Sequence, residues 1–116
     1  MSIDKSLLSG NTAMLLLKLL ENKDMYGYEM IEELSEKSKN VFELKAGTLY
    51  PLLHTLEKKK YVSSYDVQSE SGRARRYYNI TPNGKKHLHE KEKEWSEYTS
   101  AVNNVLLIGG GLCAST

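Results

Sequence analysis

The apolar positions of this chain switch between two periods along its length, and the switches divide it into elements. Over residues 5–22, Leu8, Leu15, Leu16, Leu19 and Leu20 recur at helical spacing and form a broad stripe, which predicts a first helix. Lys23-Asp24 breaks it. A second helix is predicted from Tyr26 to Lys37, burying Met30, Ile31 and Leu34 and turning Glu29, Glu32, Glu33 and Glu36 to water. Gly27 near its start costs helix stability, and the expected return is close approach to a neighbouring helix. Residues 38–44 form a connector, with Val41, Phe42 and Leu44 expected as core anchors. From Gly47 to Lys59, Leu49, Leu52, Leu53 and Leu56 mark the underside of a third helix. Pro51 removes the N–H that would bond to the Gly47 carbonyl, so this helix is expected to start late or to bend.

Beyond Lys60 the period falls to two. Tyr61 to Gln68, rich in Tyr, Val and Ser, reads as a strand. Ser69-Glu70-Ser71-Gly72-Arg73 is a turn, and Arg75 to Ile80 is the return strand. If Tyr78 and Ile80 point inward, alternation sends Tyr77 and Asn79 outward. A hairpin of two strands is not stable alone, so it must pack on the helices. Thr81-Pro82 then opens a fourth helix, with Thr as N-cap and Pro as first helical residue.

The fourth helix is expected to reach Ile108, 27 residues in all. Leu88, Trp95 and Val102 recur every seven residues, Tyr98 and Val105 add the three-residue offset, and Leu106 lies beside them. Lys91 interrupts this partial heptad. A body of about 80 residues cannot bury so long a stripe, and the simplest cover for it is a second copy of the chain. Gly109-Gly110-Gly111 stops the helix, and a disordered end is expected after it. The organisation expected is therefore mostly α, of α+β class: a winged helix-turn-helix over residues 1–81, a dimerisation helix over 82–108 and a flexible tail over 109–116.

Composition adds limits. With 116 residues and 40% hydrophobic content the chain supports one modest core. A net charge of +1 would argue against a nucleic-acid partner, but its distribution argues the other way. Residues 1–44 balance at −3, residues 45–86 at +6 and residues 87–116 at −2, so a basic footprint lies between acidic flanks. The single cysteine, Cys113, excludes an intrachain disulfide. There is no basic-then-apolar leader, and the apolar run from Met14 to Leu20 is far too short to span a membrane. A cytoplasmic protein is expected.

The residues argue against catalysis. His54, His87 and His89 are the only histidines, and the last two point different ways on one helix. HExxH, GxSxG and a phosphate-binding glycine loop are all missing, and Cys113 has no basic neighbour to activate it. Neither enzyme, metal nor cofactor is expected. The third helix tells more, because its outward face gathers Lys45, Thr48, Tyr50, Pro51 and His54. Donors and small apolar groups in that arrangement suit phosphates and base edges. Arg73, Arg75 and Arg76 crowd the hairpin tip and need anions: DNA phosphates, or, for Arg75 and Arg76, Asp66 and Glu70 across the hairpin. Lys58-Lys59-Lys60 suits a solvated helix end. Trp95, the only tryptophan, sits mid-seam, where it serves either as dimer packing or as a stacking platform for a flat aromatic ligand.

Gly47-Thr48-Leu49-Tyr50-Pro51-Leu52-Leu53 followed by Leu56-Glu57 resembles the signature of the PadR family of bacterial transcriptional repressors. Tyr26-Gly27-Tyr28-Glu29 is similar to the start of that family's second helix. Gly72-Arg73, Arg76-Tyr77-Tyr78, Ile80-Thr81 and Gly84 are similar to its wing and the step into its last helix. The similarity covers about residues 8 to 106. The short C-terminal helix with its central Trp95 resembles the smaller subfamily, which includes multidrug-responsive repressors; the glycine tail is not a shared feature. The resemblance implies a homodimer that represses transcription from a palindromic operator on double-stranded DNA. It also implies DNA contacts at Tyr26, Lys45, Thr48, Tyr50, Pro51, His54, Gly72 and Arg73, and Arg75 joins them from its place in the wing. Leu88, Trp95, Tyr98 and Val102 are the expected dimer and effector-binding positions, the effector being a small planar aromatic. The rival readings are a winged-helix interaction module without DNA binding, and a drug-sequestering protein on the same fold.

Overall fold

The computed structural model describes the backbone of residues 5–107 and the side chains of residues 11–107. The side chain of Leu8, Ile108, the glycines at 109–111 and Cys113 lie outside the described residues. In chain order the elements are α1 (Lys5–Asn22), β1 (Met25–Tyr26), α2 (Gly27–Lys37), α3 (Ala46–Lys58), β2 (Val62–Gln68), β3 (Ala74–Ile80) and α4 (Pro82–Leu106). The class is α+β, a helical winged-helix body with a small antiparallel sheet.

The core explains the order. Leu16, Leu17, Leu19 and Leu20 of α1 are all buried, an arc wider than a surface helix needs, so α1 lies at the centre. Around it close Met30 and Leu34 of α2, Leu49, Leu53 and Leu56 of α3, Met25, Val62, Tyr78 and Ile80 of the sheet, and Leu88 of α4. The expected inward pair on the return strand, Tyr78 and Ile80, is buried, while Tyr77 and Asn79 are half-exposed.

The sheet has three strands in the order β1-β3-β2. The third strand, β1, has no signature in the sequence, because two residues are too few to show alternation. It pairs Met25 with Tyr78 and Tyr26 with Tyr77. The hairpin pairs Val62 with Ile80 at its base, Tyr65 with Tyr77 in the middle and Gln68 with Ala74 at its tip.

Two expectations about the middle of the chain are corrected. Val41 is 39% exposed and anchors nothing, whereas Leu44 is buried and Phe42 packs on the core. The third helix neither starts late nor waits for Pro51. It begins at Ala46, with the Lys45 carbonyl accepting from Thr48 and Leu49 N–H groups at 2.9 Å each. Pro51 is its sixth residue, so its missing N–H leaves only the carbonyl of Gly47, an exposed residue within reach of water.

The start of α4 is capped as expected. Thr81 Oγ1 accepts from Gly84 N–H at 2.9 Å, and its hydroxyl donates to the Lys60 carbonyl at 2.7 Å. Leu88 is fully buried in the core of its own protomer, which removes it from the expected seam, because the first two turns of α4 still lie against the body. Polar contacts tie the next turn to α1: Lys18 Nζ, 3.0 Å from Glu21 of its own helix, lies 3.2 Å from Glu92, and His89 Nε2 shares a hydrogen bond of 2.9 Å with Glu21. From Lys93 to Leu106 most side chains of the helix are exposed, with Thr99 and Val102 half-buried.

Candidate nucleic-acid interface

Helical spacing divides α3 into two faces. Leu49, Leu53 and Leu56 are buried and Leu52 half-buried, while Lys45, Thr48, Tyr50, Pro51 and His54 are all exposed. One side is therefore held rigidly by the core, and the other presents a cation, a hydroxyl, a phenol, a proline ring and an imidazole to solvent. Gly47 belongs to the presented side, and a Cβ there would meet no atom within 4 Å. The fold itself has no use for a glycine at that position.

Gly27 is different. A Cβ on it would overlap the Tyr50 hydroxyl. The close approach expected at the start of α2 is thus made by a tyrosine from α3 rather than by a backbone. Tyr50, 42% exposed, lies over the first turn of α2 and keeps one edge in solvent. Tyr26 precedes that turn, and its N–H donates to the Glu29 carboxylate at 3.3 Å.

Between α2, α3 and the wing runs an open groove of about 610 Å³ whose walls include Tyr26, Gly27, Tyr28, Tyr50, Arg73 and Arg75. It brings together expected contact residues that are far apart in sequence. Tyr28, 63% exposed, joins them from the same motif, where adjacency to Tyr26 is its only signal in the sequence.

The wing turn is closed by Gly72 N–H donating to the Ser69 carbonyl at 2.9 Å and Ser69 N–H donating to the Arg73 carbonyl at 3.0 Å. Gly72 has φ +84°, a backbone that side chains disfavour. The three arginines have separate fates. Arg76 lies 3.6 Å from Asp66 across the hairpin. The guanidinium of Arg75 sits over the Tyr26 ring, 4.6 Å from its centre. Arg73 is exposed, and no acid among the described residues lies within 4.0 Å of it. The two pairings left open are thus settled: Asp66 takes Arg76, and Glu70 takes neither. Beneath the wing, burial raises the pKa of Tyr78 above its ordinary value of 10.0.

At the far end, α4 carries Trp95, Tyr98, Val105 and Leu106 at 41, 60, 66 and 72% exposure, with Val102 half-buried. The Trp95 and Tyr98 rings lie 6.0 Å apart. Among the described residues no group of three His, Cys, Asp or Glu is placed to hold a metal ion, and no helix is long and apolar enough to cross a membrane.

The sequence profile of the PadR-like transcriptional regulators matches residues 16–90. The chain belongs to the PadR-like family. A transcriptional regulator from Clostridium thermocellum superposes with a TM-score of 0.79 at 33% identity, covering 85% of this chain and 96% of its own. A PadR family regulator from Eggerthella lenta gives 0.79 at 30% identity, covering 90% and 88%. An uncharacterized protein of Lysinibacillus sphaericus is 36% identical over 101 residues, 87% of this chain and 93% of its own. The chain is therefore a PadR-like transcriptional regulator of winged-helix fold, from a family whose partner is DNA. The matched span holds the whole α3 face and the wing, and it ends before Trp95.

Proposed function

We propose that this PadR-like protein is a homodimeric repressor of the small subfamily, which binds a palindromic operator and is released by a small planar aromatic. One observation carries the DNA half. Tyr50 from the exposed face of α3 and the unpaired Arg73 line the same groove, within a stretch whose net charge is +6. In this reading α3 enters the major groove with Lys45, Thr48, Tyr50, Pro51 and His54, and the wing lays Gly72 and Arg73 on the backbone or minor groove. Tyr26 and Arg75 line the groove between them. Residues 1–81 form the DNA-binding unit, and α4 supplies the second interface.

The apolar stripe from Trp95 to Leu106 supports a dimer. Among the described residues its large side chains Trp95, Tyr98, Val105 and Leu106 stay exposed, and a second copy placed two-fold across it would bury it on both sides. Two recognition helices about 34 Å apart would then meet successive turns of one DNA face. Trp95, Tyr98 and Val102 form the effector position. An aromatic held there shifts the population toward dimers whose α3 spacing does not fit DNA.

The test is a salt titration of DNA binding. Affinity should fall steeply with salt, and Arg73→Ala should flatten the slope by about 0.9, the value of one lost phosphate contact. Binding that ignores salt would favour an interaction module instead. For the effector, planar aromatics are titrated while Trp95 fluorescence and operator affinity are followed together. Quenching without a change in affinity ends the coupling idea.

A further inference from the structure

The outer face of the sheet carries a row of three tyrosines, one on each strand. Tyr65 of β2, Tyr77 of β3 and Tyr26 of β1 are neighbours in register. Tyr77 is the middle member. Its ring stacks on Tyr65 at 5.8 Å between centroids and meets Tyr26 edge-on at 5.4 Å. The row is fastened at its ends. The Tyr65 hydroxyl donates to Asp24 at 2.6 Å, reaching across β3 to the residue before β1. Tyr26 carries the Arg75 guanidinium on its ring.

The position of this row matters because β1 ends there. Its two residues pair only with Tyr78 and Tyr77, so outward of Tyr77 the hairpin is a bare two-stranded ribbon. Such a ribbon has little stability of its own. From Tyr77 to Arg73 is four residues, about 13 Å of strand. A rotation of about 10° at the row would carry the tip by about 2 Å, enough to break a charge-assisted contact. Two contacts resist that rotation, the Tyr77 ring wedged between its neighbours and Arg75 held on Tyr26. Tyr77 itself is not among the residues lining the groove.

We infer that Tyr77 is a positioning residue for DNA binding: without touching DNA, it fixes the wing at one angle to α2 and α3 through Tyr26 and Tyr65. The inference rests on the DNA-binding reading above. It gives the tyrosines of the sheet a task that core packing does not, since their rings lie on the face away from Tyr78 and Ile80.

The experiment is a double-mutant cycle read by salt-dependent DNA binding of the full-length protein. Arg73→Ala should cost about fivefold in affinity at 0.15 M salt, the equivalent of one released counterion, and lower the salt slope by about 0.9. Tyr77→Ala should reproduce both changes, because a wandering wing no longer keeps Arg73 on its phosphate. Tyr77→Phe should restore wild-type behaviour, since the stacking ring is kept. The combination of Arg73→Ala with Tyr77→Ala should be no weaker than either alone. If Tyr77→Ala fails to fold by circular dichroism, Tyr65→Ala removes the exposed end of the row and should give the same non-additive loss. Wild-type affinity in the folded alanine variants, or losses that add, overturns the inference. Failure of the wild-type protein to show salt-dependent binding instead overturns the DNA reading beneath it.

Discussion

Replacing Gly47 by alanine should make the protein more stable and a poorer DNA binder. Gly47 is the second residue of α3, exposed, and outside the left-handed region. A Cβ there meets nothing within 4 Å, so the methyl introduces no strain. The gain comes from lower freedom in the unfolded chain and better helix propensity. Alanine exceeds glycine by about 0.5–1 kcal/mol inside a helix, and the low end applies so near the terminus. At about 4–8 °C per kcal/mol for a domain near this size, the melting temperature should rise by about 2–4 °C. The cost falls on binding. Gly47 lies one helical turn before Pro51 on the exposed face of α3, so in the proposed docking its bare backbone turns toward the duplex. A methyl group there pushes the duplex outward, and a loss of about tenfold corresponds to about 1.4 kcal/mol. Differential scanning calorimetry and fluorescence anisotropy on a labelled operator read the two effects separately. Higher stability with unchanged affinity would show that DNA does not approach α3 at this turn. Lower stability would show that the space around Gly47 is not open.

Other expectations follow from the same geometry. Gly27→Ala should drive the Tyr50 ring off α2, lowering DNA affinity by about tenfold with a stability loss of about 1–3 kcal/mol from overpacking; an unmoved Tyr50 and full affinity would contradict the contact. Leu106→Asp places a charge on the exposed stripe of α4 and should leave the head folded while shifting sedimentation toward monomer. The affinity lost is that of burying two leucines per dimer at about 1.5–3 kcal/mol each, and an unchanged dimer would place the interface elsewhere. Hydrogen bonds from Lys18 and His89 hold the Glu21 carboxyl below its ordinary value of 4.5. The unfolded chain therefore binds this proton at higher pH than the folded one, so the tie between α1 and α4 contributes above that value and is lost as acid approaches it from above and passes through the lowered folded value. Thermal melts from pH 6 to pH 3 should show this loss, and Glu21→Gln should reduce it.

The two faces of α3 were legible in the sequence because helical period alone separates leucines from Lys45, Thr48 and His54. Pro51 left a late start and a bend open, since a proline anywhere in the first turns has the same pattern, and only the Lys45 carbonyl bonds show where the helix begins. Leu88 obeyed the heptad yet belongs to the head. Periodicity reports that a position is apolar; it does not say which body covers it. The strand at Met25 is too short to leave a pattern, so the tyrosine row that depends on it was invisible. Among the arginines, charge and spacing showed the need for anions, but which one stays free depends on the hairpin register that pairs Asp66 with Arg76. The corrections thus concentrate where distant segments meet.

One feature of α4 reaches beyond a single molecule. Up to Glu92 the helix answers to its own protomer, through Leu88 and the ties to α1; from Trp95 to Leu106 it answers, under the dimer reading, to a partner. A substitution in the outer half can alter who pairs with whom while leaving the reading head intact. A bacterium holding several such regulators could keep their pairs from mixing by diverging about a dozen residues, with no change to the operators each head recognises.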